Sequence, residues 1–152
     1  MKKIDVKKLI MSFSIVAILV LLSMILTKDT MSYYDEIIKP DLAPPAILFP
    51  IVWTILYFII ALTLYRFRDN KDIMKAVIIN LIINVIWPIL FFRFELILFS
   101  AFWLMLIIIT QIIALLKIYK EDKLFAYLNL PYLIWLFFAL YLNLMIFFLN
   151  KA

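Results

Sequence analysis

Residues 33–57 read YYDEIIKPDLAPPAILFPIVWTILY, a proline-punctuated segment that runs into an apolar helix opening on Trp53. A proline pushes the residue before it out of the helical region, so Lys39-Pro40, Ala43-Pro44-Pro45 and Phe49-Pro50 predict an extended, stiff loop. The helix beyond it, Ile47 to Tyr65, is apolar all round and has about the 20 residues needed to cross the hydrocarbon of a bilayer. A rigid segment that leads from a membrane surface into a span can serve as a lid, and the rest of the chain reads as the bundle beneath it.

Composition agrees. Of the 152 residues, 68% are hydrophobic and 16% charged, which leaves too little polar surface to cover a soluble globule. The chain reads as an integral membrane protein of one domain, residues 1–152, with no room for a soluble module. Cysteine and histidine are both absent, so disulfides, thiolate metal sites, histidine ligands and a histidine base are excluded. The net charge of +5 does not suggest nucleic acid, because the basic residues lie between apolar blocks and form no continuous face; they are topological charges that meet anionic lipid.

Five blocks are long enough to span: Leu9 to Thr27, Ile47 to Tyr65, Met74 to Phe92, Leu96 to Ile118 and Leu124 to Leu149. None alternates as a barrel strand would, so only helices can satisfy their backbones in lipid. The first block is too long for a typical signal-peptide core and no small-residue cleavage site follows, which predicts an uncleaved anchor. The expected fold class is an all-α membrane protein, a five-helix transmembrane bundle with a proline-rich capping loop between its first two spans. Five crossings place the N-terminus and the loops after spans two and four on one side, with eleven basic residues, against four on the other: Lys28, Lys39, Arg93 and Lys151. The positive-inside rule therefore puts the N-terminus in the cytoplasm, and the proline loop and C-terminus outside a membrane expected to be the bacterial cytoplasmic one.

The interiors of the spans carry no charged side chains, which leaves a proton relay or pump without residues. What they do carry are amides and rings. Asn80, Asn84, Trp87 and Phe91 form one stripe at i, i+4, i+7 and i+11. Trp53, Tyr57 and Ala61 repeat every four residues, as do Trp135, Ala139 and Asn143. Helix direction brings Trp53, Trp87 and Trp103 toward the loop side and leaves Trp135 nearer the bilayer centre. These positions predict an aromatic-walled cavity below the proline loop, suited to a flat apolar ligand, with Asn84 and Asn143 supplying hydrogen bonds. Interfacial anchoring and helix bridging remain open as plainer readings of the same rings and amides, with Asn80 read first as a bridge.

The chain resembles the translocator protein family, also called tryptophan-rich sensory protein or TspO, over nearly its whole length. The loop pattern falls on Tyr33, Tyr34, Ile37, Lys39, Pro40, Pro44 and Pro45, followed by Phe49 and VWTILY at 52–57. Asn84, Trp87 and Phe91-Phe92 follow, then PYLIW at 131–135, Ala139, and YLN at 141–143. The resemblance implies a five-helix bundle whose first loop caps a pocket for porphyrins and related tetrapyrroles, and in animal members for cholesterol and drug ligands. By matching position, Tyr34, Trp53, Asn84, Trp87, Phe91, Trp135, Ala139 and Asn143 would line it. The ligand would be protoporphyrin IX or haem, and no cofactor would be required. Some bacterial members degrade protoporphyrin in light and oxygen; Trp53 and Trp135 would then be the catalytic pair, because an indole can donate an electron to an excited porphyrin without any metal.

Several positions depart from the pattern. Tyr33 stands for the loop's first tryptophan and Leu42 for the aromatic before the double proline, and the family's glycines are missing. A homodimer therefore stays open without its usual small-residue face. Sterol binding is not expected, because Tyr141 has no basic residue after it until Lys151. The alternative function is a transport facilitator or accessory membrane subunit for an apolar solute or partner protein. The cysteine-free chain makes the topology directly testable: Asp41→Cys should react with an impermeant maleimide from outside the cell and Asp72→Cys only after permeabilisation, and the opposite pattern would invert the bundle.

Overall fold

The computed structural model describes residues 4–151, so Lys2 and Lys3, two of the eleven basic residues counted on the N-terminal side, lie outside it. Helices make up the architecture, with no strand among the described residues: α1 Val6–Thr27, α2 Met31–Glu36, α3 Leu48–Arg66, α4 Lys71–Pro88 continued by a wider π turn Ile89–Arg93, α5 Ile97–Glu121 and α6 Lys123–Leu149. All but α2 are long and apolar enough to cross a membrane. Their ends differ from the expected spans by about one turn at most. On the side assigned to the cytoplasm, α1, α4 and α6 each begin with a side-chain cap: Asp5, Asn70 and Asp122 accept from the N–H groups of Lys8, Ile73 and Phe125 at 3.1, 3.1 and 3.3 Å.

Two details of the loop differ from expectation. Tyr33 and Tyr34 lie on the short helix α2, so the extended segment starts only at Ile37. Pro50 sits inside the first turn of α3. The N–H that proline lacks would have no partner there in any case, so this third proline helps start the helix and does not prolong the loop.

The spans close into a ring in the order α1, α3, α6, α5, α4 and back to α1. The α5–α6 contact is the most extensive, and its pattern explains why. Ser100, Leu104, Ile107, Gln111, Ala114 and Ile118 are buried on α5, and Asn129, Tyr132, Leu136, Ala139, Asn143 and Ile146 on α6. Both series alternate steps of three and four residues, the spacing that keeps one helix seam facing another.

Amides cross-brace this ring where charges are missing. The Asn80 amide nitrogen donates to the Ile107 carbonyl at 2.9 Å and to the Thr110 hydroxyl at 2.8 Å, while its oxygen accepts from the Tyr132 hydroxyl at 2.8 Å. One buried side chain of α4 thus ties α5 and α6. The Asn129 amide donates to the Thr63 hydroxyl of α3 at 2.9 Å. At the ends where α1, α4 and α6 begin, Lys8–Asp69 and Arg66–Asp122 pair at 3.1 and 2.8 Å in exposed or partly exposed positions, where such pairs add about 0–1 kcal/mol each.

Helix length positions the lid. α3 has 19 residues and α6 has 27, and the Arg66–Asp122 pair holds their lower ends level. At 1.5 Å per residue α3 stops roughly 12 Å short of α6 at the end where α3 begins. The loop of residues 37–47 joins the two levels, with Ile38 bonded to Asn150 at the end of α6 and residue 47 leading into α3.

The turn from α4 into α5 passes through Glu95 at φ 53°, a left-handed conformation that glycine adopts without cost. Glu95→Gly should therefore stabilise the protein by about 0.5–1 kcal/mol, seen as a higher melting temperature in detergent. Asn80→Leu should destabilise it by about 1–3 kcal/mol, because three hydrogen bonds are lost and the Tyr132 hydroxyl is left buried without an acceptor. An unchanged melting temperature would remove Asn80 as a brace.

Candidate functional site

The rings singled out in the sequence gather where α3, α4 and α6 approach one another below the loop. Trp53 stacks on Tyr57 with centroids 5.4 Å apart and meets Tyr132 edge-on at 6.3 Å. Trp87 lies 5.4 Å from Phe91 and 6.1 Å from Phe92. Tyr33 meets Phe91 at 6.3 Å, and Tyr34 touches both Phe49 at 5.7 Å and Phe92 at 6.2 Å. Phe49 in turn meets Trp135 edge-on at 6.0 Å. An unbroken chain of ring contacts thus runs from the α4 end through the lid to α6.

The π turn explains why two consecutive phenylalanines serve one site. Pro88 has no N–H for the Asn84 carbonyl, and the ladder then widens so that the Phe94 N–H reaches the Ile89 carbonyl at 3.1 Å, an i→i+5 bond. The wider turn changes the angular step along the helix. Phe91 and Phe92 both reach Trp87, whereas a regular α-helix would separate adjacent side chains by about 100°.

The amides are more fully engaged than the sequence suggested. The Asn84 oxygen accepts from the Tyr57 hydroxyl at 3.0 Å. The Asn143 oxygen accepts from the Trp87 indole at 3.0 Å and from the Ser100 hydroxyl at 2.9 Å, while its nitrogen donates to the Ile97 carbonyl at 2.7 Å. Asn84 and Asn143 are only 2% and 1% exposed. Asn143 is a strut between α4, α5 and α6, and it also orients the Trp87 ring. Ala139 is buried one turn below it on the same α6 face.

Two donors in the group have no partner. The Tyr34 hydroxyl and the Trp135 indole N–H are buried without a hydrogen bond, one on each side of Phe49. Burying such a group unpaired costs about 1–3 kcal/mol. Burial also raises the Tyr34 phenol above its usual pKa, with Asp35 adding to the shift, so at neutral pH it is a donor and not a phenolate. Tyr33 is shifted the same way by burial and Glu95. Lys39 donates to the Tyr34 carbonyl and lies 4.7 Å over the Tyr34 ring, which puts a positive charge beside the lid tyrosine.

Where the sequence predicts a hollow, rings meet in series from Trp87 through Phe92, Tyr34 and Phe49 to Trp135, while Trp53, Tyr57 and Tyr132 meet as a second group. A shallow cleft of about 240 Å³ lies at the opposite end of the bundle, lined by Arg66, Phe67, Asp69, Asn70 and Glu121. Trp103 is a further difference. Its indole donates to the Ile83 carbonyl at 2.8 Å and its ring lies 6.2 Å from Phe99, which is half exposed, so it staples α5 to α4 away from the other tryptophans. Leu42, at the position of the family's lid aromatic, is 68% exposed.

Sequence reasoning left Phe49, Tyr57, Phe92 and Tyr132 out of the candidate site. Tyr57 carried a signal, being four residues from Trp53. Tyr132 falls on the α6 seam and becomes a site residue only because α3 brings Trp53 against it. Among the described residues no cluster of acidic side chains could hold a metal.

Comparison with known proteins gives the same assignment as the residues. The family model described as TspO/MBR matches residues 11–149. The tryptophan-rich protein TspO of Archaeoglobus fulgidus is 33% identical over 128 residues, covering 81% of this chain and 83% of that protein. The tryptophan-rich protein TspO of Chlorobaculum tepidum is 33% identical over 125 residues, 78% and 79% of the two chains. Protein CrtK of Rhodobacter capsulatus is 25% identical over 128 residues, 80% of each. With its five membrane-spanning helices, its lid and this aromatic group, the chain belongs to the TspO/MBR family of integral membrane proteins.

Proposed function

We propose that this protein is a membrane receptor for tetrapyrrole-type ligands, of which protoporphyrin IX and haem are the candidates, and that it takes them between α3, α4 and α6 beneath the loop. The ligand class comes from the family resemblance. The observation that carries the reading here is the pair of orphaned donors: the Tyr34 hydroxyl and Trp135 indole N–H flank Phe49 with nothing to bond to. A ligand with a flat apolar body and a carboxylate or carbonyl edge would satisfy both and replace ring–ring contacts with ring–ligand contacts. Ligand entry on this reading displaces Phe49 and the lid, because Phe49 lies in contact with both Tyr34 and Trp135.

Light-driven turnover is the catalytic extension. Trp53 or Trp135 would pass one electron to an excited porphyrin, whose radical anion would reduce dioxygen to superoxide. The indole radical cation would then take an electron back from the porphyrin, and superoxide would add to the resulting porphyrin cation. Porphyrin and dioxygen would thus combine with the indole restored and neither metal nor histidine needed. The membrane is proposed to be the bacterial cytoplasmic one, with the N-terminus inside. The transport reading receives less support, since Asn80, Asn84, Asn129 and Asn143 spend their hydrogen bonds on neighbouring helices and leave few free groups for a solute path.

Titration with protoporphyrin in the dark should quench tryptophan fluorescence saturably, and Trp135→Phe should weaken that binding several-fold without lowering the melting temperature, since no protein hydrogen bond is lost. On illumination in air, Trp53→Phe combined with Trp135→Phe should abolish ligand degradation. Equal degradation in the double variant removes the catalytic extension, and absence of saturable quenching removes the receptor.

A further inference from the structure

Among the described residues, the hydrogen bonds that tie residues 37–47 to a membrane-spanning helix come from one side chain. The Asn150 amide, on the residue that ends α6, pairs with both backbone groups of Ile38: its oxygen accepts from the Ile38 N–H at 2.9 Å and its nitrogen donates to the Ile38 carbonyl at 2.8 Å. The second hydrogen of that nitrogen goes to the Ile146 carbonyl at 2.8 Å, and the Asn150 backbone N–H bonds the same carbonyl at 3.0 Å. The amide is thus tied to the helix and to the loop at once.

The local conformation accounts for the fit. Ile37 leaves α2 with ψ 148°, and Pro40 keeps Lys39 out of the helical region, so residues 37–39 run extended. In extended chain the N–H and C=O of one residue point the same way, and an amide side chain can pair with them as a neighbouring strand would. The other hydrogen bonds of the segment are local, such as Ala43 N–H to the Pro40 carbonyl and Lys39 to the Tyr34 and Ile37 carbonyls. Segment 37–47 runs directly into Phe49, the ring between Tyr34 and Trp135.

We infer that Asn150 is the latch of the lid: its two hydrogen bonds to Ile38 hold residues 37–47 down over the aromatic group, and their rupture sets the rate at which the lid opens. The hydrogen bonds of Asn150 go to Ile38 and Ile146 and to none of the site rings, so it is a positioning residue that acts through the loop. This inference rests on the receptor reading only for its consequence in ligand kinetics; the latch itself is a statement about the ligand-free protein.

The primary test therefore needs no ligand. Amide hydrogen exchange on the full chain in nanodiscs should show the Ile38 N–H protected, and Asn150→Ala should speed its exchange by about tenfold or more. Ile38→Pro approaches from the other side: it removes the N–H that Asn150 accepts from, leaves α6 untouched and suits the extended backbone at Ile37. If the latch exists, exchange across residues 41–47 rises to a similar extent in each single variant and no further in the double variant, a coupling that mere fraying of α6 would not produce. Added protoporphyrin should associate and dissociate faster in both single variants by a similar factor, with little change in affinity. Ile38→Cys with Asn150→Cys, in a chain that has no other cysteine, should give a disulfide that slows both rates until reduced.

Unprotected Ile38, additive effects of the two single variants, or unchanged ligand entry through the cross-linked lid would each overturn the latch. Loss of all protoporphyrin quenching in the native protein would overturn the receptor instead, and the exchange data would still decide Asn150.

Discussion

Hydrocarbon offers no hydrogen bonds, and the main features of this bundle follow from that. A span that cannot appeal to water must pair its own backbone and then pair every polar side chain it carries with another span. This chain has no glycine for close helix contact and no charge in its helix interiors, so cohesion falls to neutral amides and hydroxyls set among apolar seams. Asn80, Asn129 and Asn143 each reach across to one or two neighbouring helices. Such pairing fails at the Gln111 amide nitrogen within α5 and at the Arg68 Nε beyond the end of α3, and it fails at two neighbouring sites, Tyr34 and Trp135, where the lid meets the ring of helices.

The lid is a consequence of unequal spans. α3 is shorter than α6, and the chain between α2 and α3 joins the two levels, bonded at Ile38 to the end of α6. Prolines keep that segment extended, which leaves the Ile38 peptide groups free to meet the Asn150 amide and brings Phe49 in at the top of α3 to touch Trp135. At the other wall, Pro88 and the π turn swing two phenylalanines toward Trp87. Proline therefore shapes both sides of the site, by stiffening a loop on one and by breaking the regular step of a helix on the other.

Much of the candidate site was legible as stripes. Asn84, Trp87 and Phe91 lie on one face because their spacing follows the helical period, and Trp53 with Tyr57 does the same. The use each residue is put to was not legible. Asn143 could be read equally as a ligand contact or a brace, and only the neighbouring Ser100 hydroxyl and Ile97 carbonyl show that its polar atoms are taken. Trp103 carried the same interfacial signal as Trp87, yet the carbonyl it bonds belongs to the outer α4–α5 contact. Pairings between residues tens of positions apart have no trace in a local pattern.

By itself the sequence determined that the chain lives in a membrane, crosses it as five helices and carries a stiffened segment before the second span, because length, hydropathy and proline stereochemistry act residue by residue. Only the tertiary structure decided the ring order of the helices, the contacts of the aromatic rings with one another, the short helix under Tyr33 and Tyr34, and the meeting of Ile38 with Asn150. Those outcomes depend on which surfaces come to face each other when the spans pack, and a single helix does not specify its neighbours.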